Sequence, residues 1–129
     1  MVFNHNKSIF IQIASLICKR VLDGIYLPDN RIPSVRELAV EVEVNPNTVM
    51  RSFERLQGEG IIYNKRGVGY FISPDAPEKI HLQRHDTFMK EELPEMFKEM
   101  ALLNISIEDL IESYKVFLSN ETNNKNENK

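Results

Sequence analysis

Between Ser8 and Gly24 the apolar residues Phe10, Ile13, Ile17 and Val21 recur at helical spacing, with Lys19, Arg20 and Asp23 on other faces. That predicts an amphipathic helix which Gly24 closes in a left-handed conformation, followed by turn chemistry at Pro28-Asp29-Asn30. A second helix of about two turns is announced by Ser34-Val35-Arg36-Glu37, a capping box in which hydroxyl and carboxylate satisfy each other's free amides. Val35, Leu38, Ala39 and Val42 form its buried stripe and leave Arg36, Glu37 and Glu41 outside. After Val44 a third helix starts at Asn45-Pro46, a strong N-cap followed by a proline where no amide is needed, and runs to about Gln57. Its inward residues are Val49, Phe53 and Leu56; Asn47, Thr48, Met50, Arg51, Glu54 and Arg55 are displayed.

Past Gly58 and Gly60 the period changes. Ile61-Ile62-Tyr63 and Tyr70-Phe71-Ile72 are β-prone triplets around Asn64-Lys65-Arg66-Gly67-Val68-Gly69, which predicts a hairpin with a basic, glycine-bearing tip. Pro74 and Pro77 close this first domain, placed at 1–75. Helical spacing returns in a tail at 76–119, through Met89, Leu93, Met96, Phe97, Met100 and Leu103, with Pro94 as a kink or a restart. Ser106-Ile107-Glu108-Asp109 opens a last helix with the stripe Ile107, Leu110, Ile111, Tyr114 and Leu118. Residues 120–129 have nothing to bury and are expected to be disordered. The fold class is therefore α+β, mostly α, without internal repeats.

Composition narrows the function. The chain has 129 residues, 42% hydrophobic and 27% charged, which suits one domain with an appendage and leaves no room for a separate ligand-binding domain. A single cysteine, Cys18, forms no intrachain disulfide and reads as a small buried hydrophobe in a reducing cytoplasm. Gln12 and Ser15 interrupt the apolar run before Lys19-Arg20, so it reads poorly as a secretory signal. No stretch reaches the ~20 apolar residues of a membrane span. The net charge of −3 is uneven: residues 1–73 carry nine Lys and Arg against seven Asp and Glu, and residues 74–129 seven against twelve. The basic balance lies with the three helices and the hairpin.

Two short helices joined by a tight turn, the second displaying Asn, Thr and Arg from its first half, suit insertion of a helix into a DNA major groove. Short amides and hydroxyls let the backbone approach, Arg reaches guanine or phosphate, and the helix N-terminus attracts phosphate. Lys65 and Arg66 at the hairpin tip can neutralise phosphates, and a glycine there permits close approach to the minor groove. Together these elements predict a helix-turn-helix with a β wing.

The segments Ile9-Phe10-Ile11-Gln12-Ile13, Ile32-Pro33-Ser34-Val35-Arg36-Glu37-Leu38-Ala39, Val44-Asn45-Pro46-Asn47-Thr48-Val49, Glu59-Gly60-Ile61-Ile62 and Arg66-Gly67-Val68-Gly69-Tyr70-Phe71-Ile72 resemble, in order and spacing, the DNA-binding domain of GntR-family bacterial transcription regulators. The similarity is greatest to the short YtrA-type subfamily and covers Ile9 to Ser73. It implies a sequence-specific DNA-binding homodimer, usually a repressor, acting on a pseudo-palindromic operator. Carried over by position, the resemblance implies backbone and base contact for Arg36, helix-start contacts for Asn45, Pro46, Asn47 and Thr48, a displayed cation at Arg51, and a minor-groove wing at Arg66, Gly67 and Gly69. With Ser34 and Lys65 these form the candidate DNA-binding set.

Three departures from the family pattern are visible: Asp29-Asn30 replaces the usual Gly-Asp, Glu43 a glycine before the recognition helix, and Tyr70 a threonine after the wing glycine. A non-glycine residue in a left-handed turn at Glu43 is strained, and its charge would lie near phosphates. The tail resembles the subfamily more loosely, and there the segment dimerises. The residues agree, since a two-helix appendage cannot make a core alone. Its candidate dimerisation set is Phe88, Met89, Leu93, Met96, Phe97, Met100, Leu103, Ile107, Leu110, Ile111 and Tyr114.

Other chemistries find little support. Gly67 and Gly69 lack the strand, helix and Lys-Ser of a nucleotide loop, and His81, His85 and Asp86 offer only two imidazoles where metal sites need three or four ligands. Glu91-Glu92 reads as a solvated face. No nucleophile–base constellation stands out, so neither an enzyme nor a cofactor is expected. Met89, Met96 and Met100 beside Phe88 and Phe97 would suit an apolar small-molecule effector at a dimer seam, though methionines at helical spacing ordinarily fill cores. The rival reading is a winged-helix protein-interaction module without DNA binding, for which the acidic balance and Glu43 speak.

Overall fold

The computed structural model describes Phe3 and residues 8–127. Its elements are α1 (Ile9–Leu22), α2 (Val35–Val42), α3 (Pro46–Gly58), β1 (Ile62–Lys65), β2 (Gly69–Ile72), α4 (Ala76–Thr87), a π-helical turn (Phe88–Glu92), α5 (Leu93–Leu102) and α6 (Ile107–Glu127). They form two compact units, 1–85 and 86–129.

In the first unit the predicted stripes meet. Ile13, Ile17 and Val21 of α1, Leu38, Ala39 and Val42 of α2, and Val49, Phe53 and Leu56 of α3 are buried together with Ile61, Ile62 and Ile72 of the hairpin. Phe10 and Val35, expected in those stripes, are only half-buried. The caps are those the sequence specifies. Ser34 Oγ accepts from the Glu37 amide (3.1 Å) while Glu37 Oε1 accepts from the Ser34 amide (3.2 Å), and the Ser34 amide on the carboxylate, with the nearby hydroxyl second, lowers the pKa of the Glu37 carboxyl. Asn45 Oδ1 accepts from the Asn47 amide at 2.8 Å, one residue past Pro46.

The hairpin is longer toward its tip than the β-prone triplets suggest. β1 and β2 pair antiparallel from Ile62 with Ile72 to Lys65 with Gly69. The connection shrinks to Arg66-Gly67-Val68, closed by a Val68 amide to Lys65 carbonyl bond of 2.9 Å. The turn segment after α1 also bonds to the sheet. Asp29 donates its amide to Ile72 O (2.7 Å) and Ile32 to Tyr70 O (3.0 Å), so 28–32 is tied to β2 through two isolated bridges, Pro28 with Ile72 and Arg31 with Phe71, beside the two-stranded sheet.

The expected boundary at 75–76 is displaced. Ala76 and Ile80, one helical turn apart, are buried in the core of the first unit, and Lys79 Nζ donates to the Gly60 carbonyl (3.4 Å). The first half of α4 thus completes the winged domain. A helix with two buried residues has too weak a stripe to show in the sequence.

In the second unit Pro94 neither breaks nor sharply restarts the helix. It follows the π-turn, in which the Leu93 amide donates to the Phe88 carbonyl five residues back. The wider turn accommodates a proline that lacks an amide and whose ring crowds the carbonyl four residues earlier. Ser106 and Asp109 form the cap expected for α6, with bonds of 3.1 and 3.4 Å. The helix then continues through 120–127, where the sequence predicts no order. Propagation fixes one residue per hydrogen bond, so a nucleated helix extends into polar sequence without burying anything, and Thr122 Oγ1 donates back to Leu118 O at 3.0 Å.

Candidate nucleic-acid interface

The core stripe of α3 turns the other side of the helix outward. Asn47 and Arg51 are exposed and Thr48 is half-exposed, while Val49, Ser52 and Phe53 face α1 and the sheet. Ser52 Oγ donates to the Phe10 carbonyl at 2.6 Å, fastening the start of α1 to the middle of α3. The guanidinium carbon of Arg51 lies 4.2 Å from the centre of the Phe10 ring, so the charge is held over an apolar face and needs no carboxylate.

Arg36 on α2 lines one shallow hollow with Val40, Glu43 and Pro46, which places it beside the start of α3. The turn between them is regular. Glu43 takes the left-handed conformation (φ 57°, ψ 49°), its amide bonded to the Ala39 carbonyl, and therefore does what glycine does in the family pattern. Ser34 and Asn45 are placed beside this surface as caps, with one side-chain oxygen each already engaged.

At the wing, Lys65 Nζ sits 4.6 Å from the Phe71 ring centre, whose other contact is a stacked Tyr63 at 5.6 Å. Tyr63 donates its hydroxyl to Asp29 Oδ1 (2.9 Å), which raises the phenol's pKa because ionisation would forfeit that hydrogen bond. Arg66 and Gly67 form the exposed tip, with Gly67 at φ 78°. Gly69 has φ 143°, a backbone conformation that favours glycine, and a Cβ there would lie 2.8 Å from Arg31 Nε, so the Arg31 side chain packs over it. Arg31 thereby becomes part of the wing's base, a placement the sequence reading did not give it.

The arrangement of charge distinguishes this surface. Among the described residues of the first unit, Lys19, Arg20, Arg55 and Lys79 each lie within salt-bridge distance of a carboxylate. Arg36, Arg51, Lys65 and Arg66 have no such partner, nor do Arg31 and Arg84. Unpaired cations around an exposed helix and a hairpin tip are what a polyanion neutralises. Residues 1–85 carry eleven Lys and Arg against nine Asp and Glu, and residues 86–129 five against ten, so the acidic excess belongs wholly to the second unit.

Comparison with known proteins settles the family. The model for bacterial regulatory proteins of the gntR family matches residues 11–72, from α1 to the end of β2. The chain belongs to the GntR family. It is 36% identical over 115 residues to the HTH-type transcriptional regulator YhcF of Bacillus subtilis strain 168, covering 89% of this chain and 93% of that one. To the HTH-type transcriptional repressor YtrA of the same organism it is 36% identical over 107 residues, 83% and 82% of the two chains. The crystal structure of a GntR-family regulator from Bacteroides thetaiotaomicron superposes with a TM-score of 0.76 at 45% identity, over 88% of this chain and 98% of that one. This GntR chain is thus a DNA-binding transcription regulator with a winged helix-turn-helix and a C-terminal helical segment, in a family of regulators rather than enzymes.

The tail carries the apolar surface expected of it. Phe88, Met89, Met96, Phe97, Leu103, Ile107, Ile111 and Tyr114 are exposed; Leu93, Met100 and Leu110 are half-buried. Phe117, equally exposed, was missed, although it stands seven residues after Leu110 and so continues the stripe. Among the described residues no group of His, Cys, Asp and Glu is placed to hold a metal ion, and no helix is long and apolar enough to cross a membrane.

Proposed function

We propose that this GntR regulator is a homodimeric repressor that reads a pseudo-palindromic operator. Two copies of α3 enter successive major grooves, one helical turn apart, and the wings follow the flanking minor grooves. Arg36 and Arg51 anchor phosphates, Asn47 and Thr48 face base edges with Asn45 and Pro46 setting the helix start, Ser34 caps the helix that presents Arg36, and Lys65, Arg66, Gly67 and Gly69 form the wing contact. The observation that carries the reading is the placement of Arg36, Arg51, Lys65 and Arg66 on α2, α3 and the hairpin tip, exposed and, among the described residues, without a carboxylate in salt-bridge distance.

The apolar faces of α5 and α6 pair with those of a second copy, and the acidic excess of this unit keeps it off the duplex. The sign of regulation rests on the 36% identity to YtrA, a repressor. Bound at a promoter, the dimer excludes polymerase, in the cytoplasm where the chromosome lies. An apolar small molecule entering the seam near Met89, Met96 and Met100 would change the spacing of the two heads and release it.

The test is fluorescence anisotropy of the purified chain with DNA from upstream of its own gene, against a scrambled duplex, at two salt concentrations. Saturable binding that prefers the native sequence and weakens with salt supports the operator reading. Equal, weak binding to both duplexes overturns it in favour of a protein-interaction module.

A further inference from the structure

Among the residues that α3 exposes, Met50 is the one long apolar side chain, in the same turn as Asn47 and Arg51 and 36% exposed. Solubility gains nothing from it, and the core does not use it. It is nevertheless held: the Tyr70 hydroxyl points at its sulfur from 4.0 Å. The Tyr70 ring stands edge-on to Phe53, centroids 4.8 Å apart and planes at 82°, and Phe53 is fully buried. Tyr70 is fixed by the sheet as well, opposite Asn64 on β1 and accepting at its carbonyl from Ile32. Among the described residues the phenol has no other hydrogen-bond partner. A flexible thioether is thus braced from the wing side, at the position where this chain departs from the family's threonine.

We propose that Met50 is a specificity-determining residue that reads the 5-methyl group of a thymine in the major groove, and that Tyr70 is its positioning residue. Thymine is the base that presents a methyl group there, and a thioether makes no competing hydrogen-bond demand on the base edge. Asn47 and Arg51 read or anchor polar groups on either side, while Met50 supplies the apolar contact they cannot.

This inference rests on the operator reading above, and its test separates the two. A duplex is selected from a randomised library with the full chain, and each thymine in it is then replaced by uracil, which removes only the methyl group. One position per half-site is expected to lose about fourfold in affinity per methyl removed. Met50→Ala abolishes that penalty without changing the salt slope, and Met50→Leu retains it. Tyr70→Phe, which keeps the ring on Phe53, narrows the penalty. A selected duplex in which no uracil costs affinity overturns the inference while leaving the operator reading intact, as does a penalty that survives Met50→Ala. Failure to select any duplex overturns both.

Discussion

Arg51 and Phe10 form a cation–π pair, with the guanidinium carbon 4.2 Å from the ring centre, and this pair joins the start of α1 to the displayed face of α3. The ring limits the rotamers of a long side chain before any ligand arrives, so less entropy is lost when the guanidinium meets a phosphate. Arg51→Ala is expected to weaken operator binding about tenfold and to reduce the log-affinity against log-salt slope by about 0.9, the value for one phosphate contact. Phe10→Leu should cost about two- to fivefold, the worth of an exposed cation–π contact. Anisotropy titrations over a salt series check both; an unchanged slope in Arg51→Ala would remove Arg51 from the phosphate-binding set.

The same junction has a buried polar tie. Ser52 is fully buried, and its hydroxyl bonds to the Phe10 carbonyl at 2.6 Å and the Thr48 carbonyl at 3.3 Å. Ser52→Ala leaves the Phe10 carbonyl without that donor, and a loss of about 1–2 kcal/mol in unfolding free energy is expected. Urea denaturation measures it directly, and a change below a few tenths would show that water reaches the carbonyl.

What was readable in the sequence were the features that act within a few residues. Ser34 with Glu37, and Asn45 with Pro46, specify helix starts by local hydrogen bonding, the period of 3.6 marks the core faces of α1 to α3, and the β-prone triplets mark the hairpin. The contacts that shape the interface lie elsewhere. Phe10 with Arg51, Met50 with Tyr70, and Arg31 with Gly69 each join segments far apart in the chain, and no residue in these pairs announces its partner. The burial of Ala76 and Ile80 in the core of the first unit likewise depends on segments distant in the chain, which the sequence around them does not announce. Pro94 signalled a disturbance but not that it would be absorbed by one widened turn.

Glu43 offers a direct test of the helix-turn-helix turn. Its φ of 57° is a conformation that costs a side-chain-bearing residue about 1–2 kcal/mol and glycine almost nothing, and it lines the same shallow hollow as Arg36 and Pro46, at the edge of the proposed DNA surface. Glu43→Gly should therefore stabilise the fold by up to about 1 kcal/mol, after the extra flexibility of glycine in the unfolded chain is offset, and should tighten DNA binding, most at low salt. A destabilised variant with unchanged affinity would mean that the carboxylate contributes to the turn itself.

Cys18 is expected to be inert in the native state. Burial first and the Glu59 carboxylate second push its thiol up to about 11 from an ordinary 9.0, against smaller opposing effects of Arg84 and Arg55. At pH 8 only about one molecule in a thousand carries the thiolate, so iodoacetamide should label the native chain far more slowly than the urea-unfolded one. The folded state favours the protonated thiol. Its contribution to stability is therefore complete below pH 9 and is lost as the pH rises from 9 toward 11, a decline that Cys18→Ala should lack. Native labelling as fast as that of the unfolded chain would contradict the burial.

The proposed dimer makes the strongest demand on the second unit. Phe97 lies on α5 with 47% of its surface exposed, and Met96 and Phe88 of the same unit are exposed as well. If a second copy covers it, Phe97→Glu places a charge in an apolar seam and should convert the dimer to monomer in sedimentation equilibrium, while the circular dichroism of the winged domain stays as it was. Each head would then bind its half-site alone. Because the second contact of a linked pair is made at high effective concentration, operator affinity should fall by about 10²–10⁴, whereas a single half-site duplex should be bound as before. A variant that stays dimeric would move the seam off α5, and one that is monomeric but binds the full operator undiminished would show that the two heads act independently.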